Sequence, residues 1–180
     1  MGLRVSFELD DNDLTHFRLI MREARKAAAR MAPEDIVAAA EELLQDIGTT
    51  TGAPGFIQER IDKLRLLLRM MSDLEWRLPH QEATRVLNAL AYFTEPDDLI
   101  PDHIPGLGFL DDAIMVELVV RELQHEIEAY RDFCEFRSQH SASSRDDWLI
   151  ERREELQQRM RSRREASRRD KTRSEPGLLD

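Results

Sequence analysis

A single cysteine, Cys134, stands in 180 residues, so no internal disulfide and no cysteine-built zinc cage can form, and nothing points to an oxidising compartment. Long apolar runs are missing too. The longest stretch without a charged residue runs from Ile47 to Gln58 and is broken by Gly and Pro, whereas a bilayer span needs ~20 mostly apolar residues, so no transmembrane helix is expected. The opening MGLRVSFELDDND carries charges where a signal peptide needs an apolar stretch, which argues against secretion and for the cytoplasm. Aromatic residues make up only 6% of the chain, and glycine and proline number seven each, a composition unlike that of a β-sandwich or a disordered chain. No nucleophile elbow, P-loop or dinucleotide fingerprint occurs, and Ser, Thr and His are too scattered to nominate a catalytic triad.

What the chain does have is charge interleaved with apolar repeats: 34% of residues are charged and 41% hydrophobic. At this length a single core is expected. The formal net charge of −10 argues against a sequence-wide affinity for phosphate backbones, because nucleic-acid binders concentrate Lys and Arg to displace counterions. That total hides an asymmetry, since residues 1–144 carry 15 basic and 27 acidic side chains whereas residues 145–173 carry 11 and 7. An acidic body thus bears a basic tail.

Leu3, Val5, Phe7 and Leu9 alternate with polar residues, but a lone strand has no partner, so this segment reads as an extended arm laid on helices. Beyond the Asp10 to Asp13 cluster, Leu14, Phe17, Met21, Ala24, Ala28 and Met31 follow a 3,4,3,4,3 spacing, that of an amphipathic helix. Pro33 opens a second helix carrying Ile36, Ala40, Leu43 and Ile47 on one face and closing at Gly48. After the loop 48–55, Ile57, Ile61, Leu64, Leu68 and Met71 predict a third helix running to about Leu78. Pro79 starts a fourth, whose Ala83, Val86, Leu87, Leu90 and Phe93 share a side until Pro96. A fifth is expected from Asp111 to about Arg137, apolar nearly all round at its start except for Glu117, with Val120, Leu123, Ile127, Tyr130 and Cys134 as its later stripe.

The expected fold class is therefore all-α: a compact bundle of about five helices, with a long rigid Pro/Asp-rich loop between the fourth and fifth. A charged C-terminal helix and a disordered tail complete it. The domain spans residues 1–137, residues 138–144 form a polar linker, and residues 145–180 form the charged tail, with Trp148, Leu149, Leu156 and Met160 among mostly Arg and Glu and disorder from about 165.

The loop EPDDLIPDHIPGLGFLDDA, residues 95–113, combines three prolines and two glycines with Asp97, Asp98, Asp102, His103, Asp111 and Asp112. Surface loops do not need Leu99, Ile100, Ile104, Leu107, Phe109 and Leu110, so this one is expected to pack into the bundle and satisfy its backbone internally. The run ALAYFTEPDDLIPDHIPGLGFLDDAIMVELV, residues 89–119, resembles the signature of the YkvA-like family, a bacterial domain of unknown function with the pattern P-x-D-L-I-P-D-x-I-P-x-x-G-x-x-D-D. Every element is present, as Pro96, Asp98, Leu99, Ile100, Pro101, Asp102, Ile104, Pro105, Gly108, Asp111 and Asp112. The resemblance implies an all-helical domain and, in many relatives, an apolar hairpin near a membrane. Here Glu117, Arg121 and Glu122 interrupt the second arm, which favours a soluble form. It brings no catalytic residue with it.

The plainer reading of the aspartates is structural: Asp111 or Asp112 caps the fifth helix, and Asp98 and Asp102 accept backbone N–H bonds in proline turns. The sharper reading is a divalent-cation site built from Asp98, Asp102, Asp111 and Asp112, which would serve a metal-dependent enzyme. His103 beside Asp102 reads as a hydrogen-bonded turn residue. Glu122 and His125 have the E-x-x-H spacing of di-iron bundles, but a second such pair is missing, and His125 is expected to face solvent. Glu117 is expected to pair with Arg121 one turn on, the alternative being a buried acid of raised pKa. Cys134 reads as a small core hydrophobe among Tyr130, Phe133 and Phe136. The leading expectation is a non-enzymatic helical interaction or scaffold module with a protein partner and no cofactor, cytoplasmic or peripheral to the inner membrane. The tail, residues 145–173, is expected to be a solvated helix, with nucleic acid or an anionic membrane surface as its alternative ligand.

Overall fold

The computed structural model describes residues 8–49, 55–94, 110–140 and 145–171. Among them there are helices and no strands. In chain order they are α1 (Asp11–Ala28), α2 (Pro33–Thr49), α3 (Gly55–Ser72), α4 (His80–Leu90), a 3-10 turn (Ala91–Thr94), α5 (Leu110–Glu122), α6 (Gln124–Gln139) and α7 (Arg145–Lys171). The all-α expectation holds, and one core runs from Phe17 of α1 to Met160 of α7.

Three of the helix starts have a clear local cause. Asp10 accepts the N–H groups of Asn12 and Asp13, and Asp13 accepts that of Asp10, a reciprocal capping box. Pro33 occupies the first turn of α2, where its missing N–H costs nothing. Pro79, extended at φ −62° and ψ 153°, stands just ahead of α4, and its carbonyl accepts from Ala83. The apolar spacing also faces as expected: Phe17, Met21, Ala24 and Ala28 of α1 are buried, as are Ile36 and Ala40 of α2 and Ile61, Leu64 and Leu68 of α3. The arm falls at residues 1–7, outside the described residues, while Leu9 packs partly against the core.

The structure departs from the sequence reading in three places. First, α3 ends at Ser72 and not near Leu78. Asp73 intervenes, its Oδ1 accepting the N–H groups of Glu75 and Trp76, and Arg77 turns left-handed at φ 48°. An Asx side chain that offers the backbone such partners competes with the helix. Second, the expected fifth helix is bent into α5 and α6 at Leu123, which sits at φ −102° and ψ 16°. Leu123 N still bonds Val119 O and Ile127 N bonds Leu123 O, each at 3.0 Å, while the carbonyl of Glu122 accepts Arg85 Nη2 at 3.2 Å, so the helical ladder is interrupted here and only partly kept.

Third, the charged C-terminal helix is neither solvated all round nor disordered from 165. It continues to Lys171 and lies along α6, with Leu149, Leu156 and Met160 buried in the common core. The pairing is antiparallel: Asp132 meets Arg159, Glu128 meets Arg163, Glu126 meets Arg164 and His125 meets Ser167. Each step back along α6 is a matching step forward along α7, so three arginines counted as a basic tail, Arg159, Arg163 and Arg164, face acids of the preceding helix.

Candidate functional site

In the chain, the segment marked out by its sequence pattern falls between two described stems. On one side the 3-10 turn, with Ala91, Tyr92 and Phe93 buried, packs on α1, α2 and α4. Tyr92 and Phe93 meet edge to face at 5.2 Å. On the other side α5 packs on α3, with its Ala113, Met115, Val116 and Val119 buried. The expectation that the fifth helix begins deep in the body is met at these four residues.

Pro96, Asp98, Leu99, Ile100, Pro101, Asp102, Ile104, Pro105 and Gly108, together with His103, lie outside the described residues. Asp111 and Asp112 fall in the first turn of α5, one and two places after its first residue Leu110, and their side chains lie outside the described set. Neither the capping nor the cation reading of these aspartates is decided by the described residues. Among those residues no group of three His, Cys, Asp or Glu side chains is arranged to hold a metal.

The acid singled out in α5, Glu117, is held by cations. Glu117 Oε2 receives Lys63 Nζ at 2.7 Å and lies 3.3 Å from Arg60, while Arg121 stands 3.9 Å from Oε1. The Lys63 hydrogen bond outweighs the cost of burial and, with the nearby arginines, holds the carboxyl below its ordinary pKa. The i,i+4 pair to Arg121 is therefore present but is the weakest of three. The alternative of a raised-pKa acid is overturned, because a carboxyl shifted downward keeps no proton to donate near neutral pH.

Two further acids are more deeply placed and were not singled out by the sequence. Glu82 of α4 is 1% exposed and Glu126 of α6 is 0% exposed. Arg164 of α7 reaches both, 3.1 Å from Glu82 Oε1 and 3.2 Å from Glu126 Oε1. The approach to Glu82 is close enough for ion pairing but too oblique for a hydrogen bond. Arg85 adds Nε at 3.3 Å to Glu126 and Arg161 adds Nε at 3.6 Å to Glu82. Such pairs hold only if cation and anion stay together, since a buried charge left alone is costly. A sequence offers little signal for this: Glu82 reads as an ordinary first-turn acid, and its partners are about eighty residues away.

A second network fixes the α3–α4 turn. Asp73 accepts Tyr130 Oη at 2.9 Å and Arg137 Nη1 at 2.9 Å, and Arg137 also reaches Glu75 at 2.7 Å. Burial works to raise the Asp73 pKa, but the Trp76 and Glu75 N–H groups, Tyr130 and Arg137 together hold it below its ordinary value. Burial and the same carboxylate push the Tyr130 hydroxyl far above its normal range. Cys134 is half-buried, 3.7 Å from Arg137 Nη2. His125, expected in solvent, is half-buried against α7, with Nε2 3.0 Å from Ser167 Oγ; only the unforeseen docking of α7 makes this so. Glu122, its E-x-x-H companion, is half-buried as well.

Residues 84–118 match the profile of a family described as "Protein of unknown function (DUF1232)". The chain is also 43% identical over 42 residues to the "Uncharacterized membrane protein YkvA" of Bacillus subtilis (strain 168), a match covering 23% of this chain and 40% of that protein. The chain thus spans less than half the length of the curated relative it matches. No solved structure matches. Among the described residues no helix is long and apolar enough to cross a membrane.

Proposed function

We propose that this chain, which belongs to the YkvA-like DUF1232 family through residues 84–118, is a non-enzymatic helical interaction module that presents residues 95–109 to a protein partner. The observation that carries this reading is the anchoring of both stems. Tyr92 and Phe93 precede the family segment's acidic stretch and Met115, Val116 and Val119 follow it, all in the common core. A segment held at both ends by rigid helices loses less conformational freedom on binding, which is what makes a short recognition element effective. The deeply buried acids of the described body, Glu82 and Glu126, are committed to arginines, which assigns them to architecture.

The test is photocrosslinking in cells, with the crosslinker placed at Leu107 and the adduct identified by mass spectrometry. One reproducible protein adduct is expected, lost in the Asp98→Ala and Asp102→Ala variants at unchanged thermal midpoint. If the adduct is absent, or insensitive to both substitutions, the reading falls.

A second reading, peripheral attachment to an anionic membrane through residues 145–173, draws on the relative's being named a membrane protein and on Trp148 and Ile150, which are 53% and 43% exposed on α7. Against it, Arg159, Arg163 and Arg164 are already engaged with α6. Flotation with phosphatidylserine vesicles decides: binding that vanishes as salt rises supports attachment. A divalent cation at Asp98, Asp102, Asp111 and Asp112 is tested by calorimetric titration with Mg²⁺, Mn²⁺ and Ca²⁺, and silence at millimolar concentration removes the metal-enzyme alternative.

A further inference from the structure

The face beneath α7 sets a row of acceptors beside its apolar core contact. It offers the carboxylates of Glu82 and Glu126 and the carbonyls of Trp76 and Arg77, which take Gln157 Nε2 at 2.9 and 3.3 Å. The carbonyl of Glu75 takes Arg153 Nη1 at 3.3 Å. Every one of these is met from α7 by a cationic or amide side chain, and the apolar share of the contact is confined to Leu149, Leu156 and Met160 in a helix of 27 residues. We infer that α7 is a cis-acting strap, pinned by Arg164, that closes a docking face for a cationic amphipathic helix.

The pin can be located by comparing pairs. Arg163 and Glu128 are 51% and 54% exposed, so water and salt screen them. Arg164 is 15% exposed and its two acids are fully covered, so their pairing resists screening. In the closed state the cations that pair with Glu82, Arg161 and Arg164, both belong to α7, whereas Glu126 keeps Arg85 of α4. Lifting α7 returns both carboxylates to water. Removing the Arg164 guanidinium therefore penalises the closed state only, and the equilibrium moves toward release without undoing α3, α4 or their turn.

The test is hydrogen exchange by mass spectrometry on the full chain. Arg164→Met is expected to speed exchange across residues 149–167 by roughly 100-fold while α3 and α4 keep wild-type protection. Adding Glu82→Gln and Glu126→Gln to that variant is expected to restore most of the protection, because neutral amides no longer require a cation. Wild-type α7 is expected to stay protected in 1 M NaCl. A fluorescein-labelled peptide of residues 145–171 is expected to bind the Arg164→Met chain at concentrations where the wild-type chain, its face occupied, binds none. Loss of protection in α3 and α4 together with α7, unchanged exchange in Arg164→Met, failure of the glutamine rescue, release of wild-type α7 by salt, or equal peptide binding by both chains would each overturn the inference.

Discussion

Asp73 is one residue that does several jobs at once: it ends α3, caps the following turn and receives Tyr130 and Arg137 from α6. Removing the hydroxyl with Tyr130→Phe is expected to cost about 1 kcal/mol in urea denaturation at pH 7. The pH dependence follows from the sign of the shift. A carboxyl with its pKa depressed in the folded state stabilises the fold fully above its unfolded value, 3.8, and that contribution drains away as the pH falls through the folded value. The stability gap between wild type and Tyr130→Phe should therefore be constant at neutral pH and narrow below about pH 4. Four places after Asp73, Arg77 adopts φ 48°, a conformation that costs side chains with a Cβ about 1 kcal/mol or more and β-branched ones the most. Thermal denaturation should rank Arg77→Gly at or above wild type and Arg77→Val below it.

At the scale of elements, the helices whose apolar repeat faces the core were legible, because the pattern at Phe17, Met21, Ala24 and Ala28 or at Ile61, Leu64 and Leu68 is itself the burial pattern. The bend at Leu123 was not, since neither proline nor glycine marks it. The docking of α7 was hidden for a different reason: its contact with α6 is written mainly in charges, and a helix rich in Arg and Glu looks the same whether it faces water or a complementary helix. Of the candidate site, the sequence pattern located the family segment and its stems, while the buried Glu82, Glu126 and Arg164 cluster, built across about eighty residues, left no local mark. The exposed rungs should prove weak. Arg163→Ala is expected to cost no more than about 0.5 kcal/mol by chemical denaturation. Gln157→Ala, which strips the buried Trp76 carbonyl of its partner, should cost about 1–2 kcal/mol.

The whole molecule shares one core, and its two tryptophans report on different parts of it. Trp76 is 0% exposed and packed on Phe133 at 5.1 Å and Tyr130 at 5.8 Å, while Trp148 is 53% exposed beside His140. The Trp148→Phe chain should emit at short wavelength and resist acrylamide quenching, and the Trp76→Phe chain should do the opposite. Because Trp76 sits where α3, α4, α6 and α7 meet, wild-type unfolding followed by its fluorescence and by far-ultraviolet circular dichroism should give coincident transitions. Separate midpoints would show that the core is divided.

The antiparallel pairing of α6 with α7 also governs how the molecule looks from a distance. Two tracts of opposite sign, consecutive in the chain, fold back on each other and partly cancel. The outer field is then left to helices such as α2, which has Glu34, Asp35, Glu41 and Glu42 and not one Lys or Arg. To an approaching macromolecule the native protein is an acid, and a solid support bearing quaternary amines should retain it despite an arginine-laden C-terminal helix.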